Sequence, residues 1–314
     1  MSRRLADSIV LLVTIAIFGA AIAVLVDQFR TVSLGQLTTA LAAMPKYQIL
    51  AAMGLTAASY LLLTGYDFLA LRYVHHHLRV RDVLFASFTA FAFSNNIGVQ
   101  LLSGGSMRYR IYSSFGLQGD EILSVVAFCT LAYALGVITI GGSVLLFEPA
   151  EIASLLHLPQ YLISIAGVAL LAVCGGYLAV AAKWRQPIGF GRFRLQPPSL
   201  ALAIAQVALA SVDAVLASSV FYALLPVDFV LSFQSYLGIY MMAATLSVVS
   251  LVPGGLGVFE TAITLMTVPP SKAGALGAFL AYRTIYFVIP FVIAITIFSL
   301  HEMRLKFDKG SAKS

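Results

Sequence analysis

The chain alternates long apolar runs with short polar segments. A run of about 20 apolar residues rises about 30 Å as a helix and crosses a bilayer core. Six such runs stand out: Ile9 to Val26, Tyr47 to Leu71, Glu121 to Phe147, Tyr161 to Ala182, Leu200 to Leu225 and Ala275 to Leu300. Two further stretches, Val83 to Leu102 and Gln234 to Val252, have the length to span but end in glycine-rich turns. The first run follows Arg3 and Arg4, as a secretory signal would. It is long, however, and no small-residue cleavage site clearly follows it, which predicts a retained anchor. Thr38 to Met44 reads as a short helix lying on the outer surface.

Composition strengthens this picture. Of 314 residues, 60% are hydrophobic and 10% charged, too little polar surface to clothe a water-soluble domain. The expectation is an all-α integral membrane protein, one transmembrane domain over residues 1–314 with no soluble domain. The net charge of +6 does not point to nucleic acid, because the basic residues are scattered among short loops and the two ends. Three regions concentrate them: Arg72, Arg79 and Arg81; Lys183, Arg185, Arg192 and Arg194; and Arg304, Lys306, Lys309 and Lys313. The segments Glu148 to Gln160 and Pro226 to Phe233 hold no Lys or Arg. The positive-inside rule therefore puts the basic regions and both termini in the cytoplasm and the acidic loops outside.

This charge pattern decides how the two ambiguous stretches run. If Val83 to Leu102 crossed completely, the loop at Glu148 would fall inside and that at Lys183 outside. A hairpin that enters from the cytoplasm, turns at Gly104-Gly105 and returns along Met107 to Leu117 restores every later loop to its expected side. Gln234 to Val252 then enters from the other face, turns at Gly254-Gly255 and returns along Gly257 to Val268. The architecture expected is six spans plus two opposed re-entrant hairpins; eight complete spans is the competing reading. The turns align without a gap, Leu102-Ser103-Gly104-Gly105-Ser106-Met107-Arg108-Tyr109-Arg110 against Val252-Pro253-Gly254-Gly255-Leu256-Gly257-Val258-Phe259-Glu260. Such a pattern suggests an inverted repeat whose broken helices meet near the midplane.

Irregular backbone inside a membrane must line protein or water, so the Gly-Gly segments mark either a cavity or a place of close helix packing. Charges within the apolar zone each cost about 2.5 kcal/mol or more without a partner. Arg108, Arg110, Asp213, Glu260 and Arg283 are of this kind. Arg110 and Glu260 occupy matching places after the two turns and are expected to pair. Arg108 and Arg283, with free backbone N–H groups at helix starts, would receive an anionic phosphate; a purely structural ion-pair network is the alternative. Asn95 and Asn96 have the chemistry to bond either a partner helix or a head group. Asp67 lies near the cytoplasmic end of its span, with Arg72 as the expected partner. His75, His76 and His77 are consecutive, so on a helix they point apart and form no compact metal site. Cys129 and Cys174 lie in apolar runs and read as packing residues. No P-loop, dinucleotide fingerprint, zinc-protease motif or nucleophile elbow is present.

The two glycine turns, together with Ala281-Tyr282-Arg283-Thr284-Ile285-Tyr286, resemble the membrane domain of bacterial lysylphosphatidylglycerol synthases, the multiple peptide resistance factors. Asp213 and Tyr222-Ala223-Leu224-Leu225-Pro226 also fit, with Ala214 where tryptophan often stands beside the aspartate. The resemblance covers nearly the whole chain. It implies a flippase region that moves aminoacylated phosphatidylglycerol to the outer leaflet. It also implies that this chain lacks the cytoplasmic aminoacyltransferase domain of the full-length synthases, and so is transporter-like and not an enzyme. The expected activity is translocation of an anionic or aminoacylated phospholipid across the bacterial cytoplasmic membrane, contributing to envelope charge and cationic peptide resistance. The alternatives are an intramembrane transferase or hydrolase with Glu260 as general base, and a non-catalytic partner of a separate lipid synthase.

The residues expected to bind substrate are Asn95, Asn96, Ser103, Gly104, Gly105, Arg108, Tyr109, Arg110, Asp213, Pro253, Gly254, Gly255, Gly257, Glu260, Tyr282 and Arg283. No catalytic residue, metal or cofactor is expected. The partners expected are a membrane phospholipid, a separate lipid synthase and a second copy of the chain, but no nucleic acid.

Overall fold

The computed structural model describes residues 42 and 44–311, apart from 98–99, 185, 187, 191–192, 227–228, 230, 251 and 268–271. The first apolar run, Ile9 to Val26, and most of the expected surface helix, Thr38 to Leu41, lie outside the described residues. The described chain is a helical bundle in the order α1 (Lys46–Tyr73), α2 (Val80–Ile97), α3 (Gln100–Ser114), α4 (Gly119–Phe147), α5 (Pro149–Leu156), α6 (Gln160–Lys183), a small antiparallel pair β1 (Ile188–Phe190) and β2 (Phe193–Leu195), and α7 (Leu200–Tyr222). Then come α8 (Phe233–Val249), a 3-10 turn (Pro253–Gly255), α9 (Val258–Thr267), α10 (Lys272–Tyr282), a π-helical turn (Arg283–Val288) and α11 (Ile289–Ser311). The protein is thus a multi-pass membrane helix bundle. Helices α1, α4, α6, α7 and the continuous segment Gly274–Met303 are each long and apolar enough to cross a membrane, and they coincide with the second to sixth predicted runs.

Local chemistry sets the helix boundaries. In α4, the Glu121 carboxylate accepts the Gln118 backbone N–H at 2.8 Å, satisfying a donor that the helix start leaves free. The side chains of Ser199 and Ser232 do the same at the starts of α7 and α8, accepting from Leu202 and Ser235. Pro149 opens α5 and His157 closes it in the left-handed region.

Side-chain contacts define two ends of the bundle. At one, His76 lies 3.3 Å from Glu121, Tyr73 donates to the Gln196 carbonyl at 2.6 Å, and Phe85 and Phe115 both pack on the His301 ring. At the other, Gln48 donates to the Leu225 carbonyl at 2.9 Å and Tyr222 packs on Phe233. Arg72, Arg79, Arg81 and Lys183 fall at the first end, Glu148 and Glu151 at the second, which is the charge division expected from the sequence. Helices α2 and α3 form a hairpin rooted at the first end. Helices α8 and α9 form one rooted at the second, so the two point toward each other.

The second hairpin turns where the sequence predicts. Gly254, Gly255 and Gly257 have φ of +60°, +62° and +78°, in the left-handed region that only glycine enters freely. The first hairpin differs from expectation. Helix α2 ends at Ile97, and Gly104 and Gly105 lie inside α3, so the glycine pair is helical and is not the turn. The reason Gly104 is a glycine is contact between helices: a Cβ there would lie 2.7 Å from Ser94 Oγ on α2. The two Gly-Gly motifs match in sequence yet serve different ends, tight helix packing in one and a backbone turn in the other.

Candidate functional site

The tips of the opposed hairpins meet. A Cβ on Gly254 would stand 3.5 Å from the Asn96 carbonyl oxygen and 3.8 Å from that of Asn95, so the 3-10 turn abuts the last turn of α2. Arg283 closes this junction from the third side. Its Nε donates to Glu260 Oε1 at 2.8 Å, Nη1 donates to the Gly254 carbonyl, and Nη2 donates to the Gly255 carbonyl at 3.3 Å. The guanidinium also lies 5.0 Å from the Phe287 ring centroid. One side chain therefore satisfies carbonyls that the turn would otherwise leave bare within the bundle. The second Glu260 oxygen accepts the Gly257 N–H at 2.9 Å and so fixes the start of α9. Helix α10 covers about 16 Å from Lys272 to Tyr282, which puts Arg283 well inside the last span.

Asn96 is fully buried at the same junction. Its amide donates to the Ala92 carbonyl at 2.8 Å and to the Phe287 carbonyl of the π-helical turn at 3.3 Å, while its Oδ1 has no hydrogen-bond partner among the described residues. Asn95 is 3.5 Å from the Tyr60 hydroxyl. These contacts bind α2 to its neighbours and leave one buried acceptor at the junction.

The arginines sort differently from the expected arrangement. Arg110 and Glu260 do not pair. Arg110 holds Glu302 of α11 through two hydrogen bonds, 3.0 and 2.6 Å, near the first end of the bundle, whereas Glu260 belongs to Arg283. The sequence alignment of the turns places Arg110 and Glu260 in register, but the reversals occur at different points, and the registers diverge. Arg108 forms a two-point pair with Asp67, 2.9 Å for each bond, with side-chain exposures of 5% and 0%. Tyr112 and Ser87 add hydroxyl donors to the same carboxylate, each at 2.8 Å, and Phe91 covers the guanidinium at 4.5 Å. The expected Asp67–Arg72 contact is thereby replaced: Asp67 faces the bundle interior and takes its cation from α3.

Asp213 stands apart. It accepts from the Tyr66 hydroxyl at 3.0 Å and from Ser59 at 3.4 Å, and among the described residues it has no cationic partner. Tyr282 lies in a neighbouring aromatic column, its hydroxyl 2.7 Å from that of Tyr240 and its ring stacked on Tyr286 with centroids 5.4 Å apart. Of the remaining expected site residues, Tyr109 is half exposed, and Ser103 and Pro253 contribute backbone to α3 and to the 3-10 turn.

The structure thus brings together Asn95, Asn96, Gly254, Gly255, Gly257, Glu260 and Arg283, and separates Arg108 and Arg110 from them. Sequence reasoning missed Glu302 and the pairing of Asp67 with Arg108. Asp67 is visible as a charge in an apolar run, but nothing local pairs it with a residue 41 positions away. Glu302 follows the apolar run beside Arg304, where it reads as part of a solvated tail.

Comparison with known proteins gives a consistent result. The lysylphosphatidylglycerol synthase TM region matches residues 9–294. Protein slr0712 of Synechocystis is 38% identical over 246 residues, covering 78% of this chain and 76% of its own length. Inner membrane protein YbhN of Escherichia coli is 31% identical over 263 residues, 82% of this chain and 81% of its own. A phosphatidylglycerol lysyltransferase of Staphylococcus haemolyticus is 20% identical over 304 residues, 95% of this chain and 34% of that enzyme.

Proposed function

The chain belongs to the lysylphosphatidylglycerol synthase TM-region family, and on that premise we propose that it is a lipid translocase of the bacterial cytoplasmic membrane, moving an anionic or aminoacylated phospholipid such as lysylphosphatidylglycerol between leaflets. The observation that carries this reading is the junction of two opposed helical hairpins deep in the bundle, closed by Arg283. Hairpins that enter from opposite faces and meet near the midplane give a head group one shared station reachable from either side. Both hairpins are re-entrant in this reading, and both termini are cytoplasmic, because the end rich in Lys and Arg is the cytoplasmic one.

Arg283 is the phosphate anchor. A head-group phosphate oxygen can take the place of Glu260 Oε1 on the guanidinium, an exchange of one anionic acceptor for another. When the phosphate takes Arg283, Glu260 is freed to face a cationic aminoacyl group, and the bare Oδ1 of Asn96 accepts from a glycerol hydroxyl or an ammonium. Acyl chains remain in the bilayer throughout. Arg108, enclosed with Asp67, braces the first hairpin, and Arg110 with Glu302 lies along the cytoplasmic approach. An intramembrane hydrolase or transferase using Glu260 as base has less support, since both Glu260 oxygens already hold donors. A separate synthase would supply the aminoacylated lipid.

The test is translocation of phosphatidylglycerol and its lysyl ester in proteoliposomes, comparing the unaltered protein with Arg283→Ala and Glu260→Ala. Movement above protein-free vesicles that both substitutions abolish is the expected result. No acceleration of either lipid, or equal rates in all three proteins, would overturn the reading.

A further inference from the structure

We infer that Asp213 is a proton-binding site that couples lipid movement to the proton gradient, an inference that rests on the translocase reading above. Asp67, Glu260 and Glu302 each face an arginine. Asp213, buried to 8% exposure near the middle of α7, faces none among the described residues. An ionised carboxylate held away from water without a counter-charge is costly, and the structure offers only hydroxyl donors to offset that cost. A proton removes the charge and needs no space. A larger cation would have to displace Tyr66 and Ser59, which already occupy both oxygens.

Among the described residues, the groups that bond to Asp213 or lie close to it are neutral. Ser59, Tyr60 and Tyr66 face it from α1, Tyr133 from α4, Tyr240 from α8 and Tyr286 from the π-helical turn. None carries a positive charge. The same groups connect Asp213 to the hairpin junction. Ser59 Oγ is 3.1 Å from the Tyr286 hydroxyl, Tyr60 donates to the Tyr286 carbonyl at 3.2 Å, and Asn95 lies 3.5 Å from the Tyr60 hydroxyl. Tyr286 belongs to the π-helical turn that opens with Arg283. Loading or removing the proton changes which oxygens Tyr66 and Ser59 address, and that change is delivered to the element holding Arg283 against the 3-10 turn. The coupling step moves one proton on to Asp213 Oδ from one side of the membrane and off to the other, with no bond otherwise made or broken.

The experiment has two arms on the full chain. In nanodiscs, infrared difference spectra across a pH titration read the carbonyl stretch of a protonated carboxylic acid, which is expected in the unaltered protein and absent in Asp213→Asn. Tyr66→Phe, should the first variant not fold, is expected to shift both the band and its titration midpoint. In proteoliposomes containing phosphatidylglycerol, an imposed pH gradient is expected to change the translocation rate about fivefold or more, a response lost in Asp213→Asn. A band that survives Asp213→Asn, or one that Tyr66→Phe leaves unmoved where that variant stands in, would overturn the assignment. So would translocation driven by a sodium gradient and indifferent to pH. If no lipid moves in the unaltered protein, the translocase reading fails, and the infrared arm still decides whether Asp213 binds a proton.

Discussion

Removing the Asp67–Arg108 pair one partner at a time should cost far more than removing both. The carboxylate has no exposure, the guanidinium side chain 5%, and four hydrogen bonds converge on the two Asp67 oxygens. Asp67→Asn strands a buried cation and Arg108→Met strands a buried anion, each a loss of about 3–5 kcal/mol. If the two sites were independent, the double variant would lose the sum, about 6–10 kcal/mol, comparable to the whole stability of many domains. With both charges gone, however, Tyr112 and Ser87 still have the side-chain amide oxygen at position 67 to donate to, and the remaining cost is that of one poorly satisfied amide, about 1–3 kcal/mol. The expected coupling is therefore about 3 kcal/mol or more. Unfolding of the four proteins in lipid–detergent bicelles, followed by steric trapping or by titration with a denaturing detergent, measures the cycle. Additive losses would refute the reasoning, because they would mean that neither charge relies on the other.

Other expectations rest on the same geometry. Gly255→Ala should destabilise more than Gly254→Ala in thermal melts: both incur about 1–2 kcal/mol for a left-handed backbone, but the new Cβ meets Ser247 Cβ at 2.6 Å in the first case and only the Asn96 oxygen and the Arg283 guanidinium at 3.5 Å in the second. Ser247→Gly should restore part of the Gly255→Ala loss, whereas equal melting of all variants would show that the turn is not built as described. Gly136→Ala, whose Cβ would lie 2.7 Å from the Ala210 carbonyl oxygen, should cost about 1–3 kcal/mol by forcing α4 from α7, while Gly175→Ala and Gly176→Ala, with nothing within 4 Å, should melt like the unaltered protein. Single cysteines at Ser113 and Ser154 should react with an impermeant reagent from opposite sides of the membrane, the first from the cytoplasm. Labelling of both from one side would contradict the placement of the two ends. Arg283→Lys keeps the charge but not the fork that spans Glu260 and two carbonyls, and should slow translocation nearly as much as Arg283→Ala.

Much of this fold is written in apolar run lengths. The described spans start and stop within a few residues of where the runs do, because in a bilayer the helix must satisfy its own backbone and the run length is set by the membrane. The reversal between α2 and α3 is suggested by charge: without it, the acidic loop at Glu148 would share a side with Arg72, Arg79 and Arg81. What the sequence does not carry is register. Gly104-Gly105 and Gly254-Gly255 look alike in one dimension, but a glycine chosen to let Ser94 approach and a glycine chosen for positive φ leave the same letter. The choice of ion-pair partners goes with it. Arg108–Asp67, Arg110–Glu302 and Arg283–Glu260 are separated by 41, 192 and 23 residues, and each depends on helix crossings that no local pattern encodes.

The unequal enclosure of those pairs assigns the hairpins different mechanical roles. The first is fastened to α1 through a pair with almost no solvent exposure, reinforced by Tyr112 and Ser87, and breaking it would strand charge in the bundle. The second is fastened through Arg283 and Glu260, whose side chains retain 11% and 25% exposure, and the clasp lies across a glycine turn with three left-handed residues. It also sits at the start of a π-helical turn, a place where a helix can shift register without losing its neighbours. If one hairpin must give way for a head group to pass, the energetics favour the second: its clasp offers acceptors that a phosphate can replace, while the clasp of the first offers none that a ligand can reach.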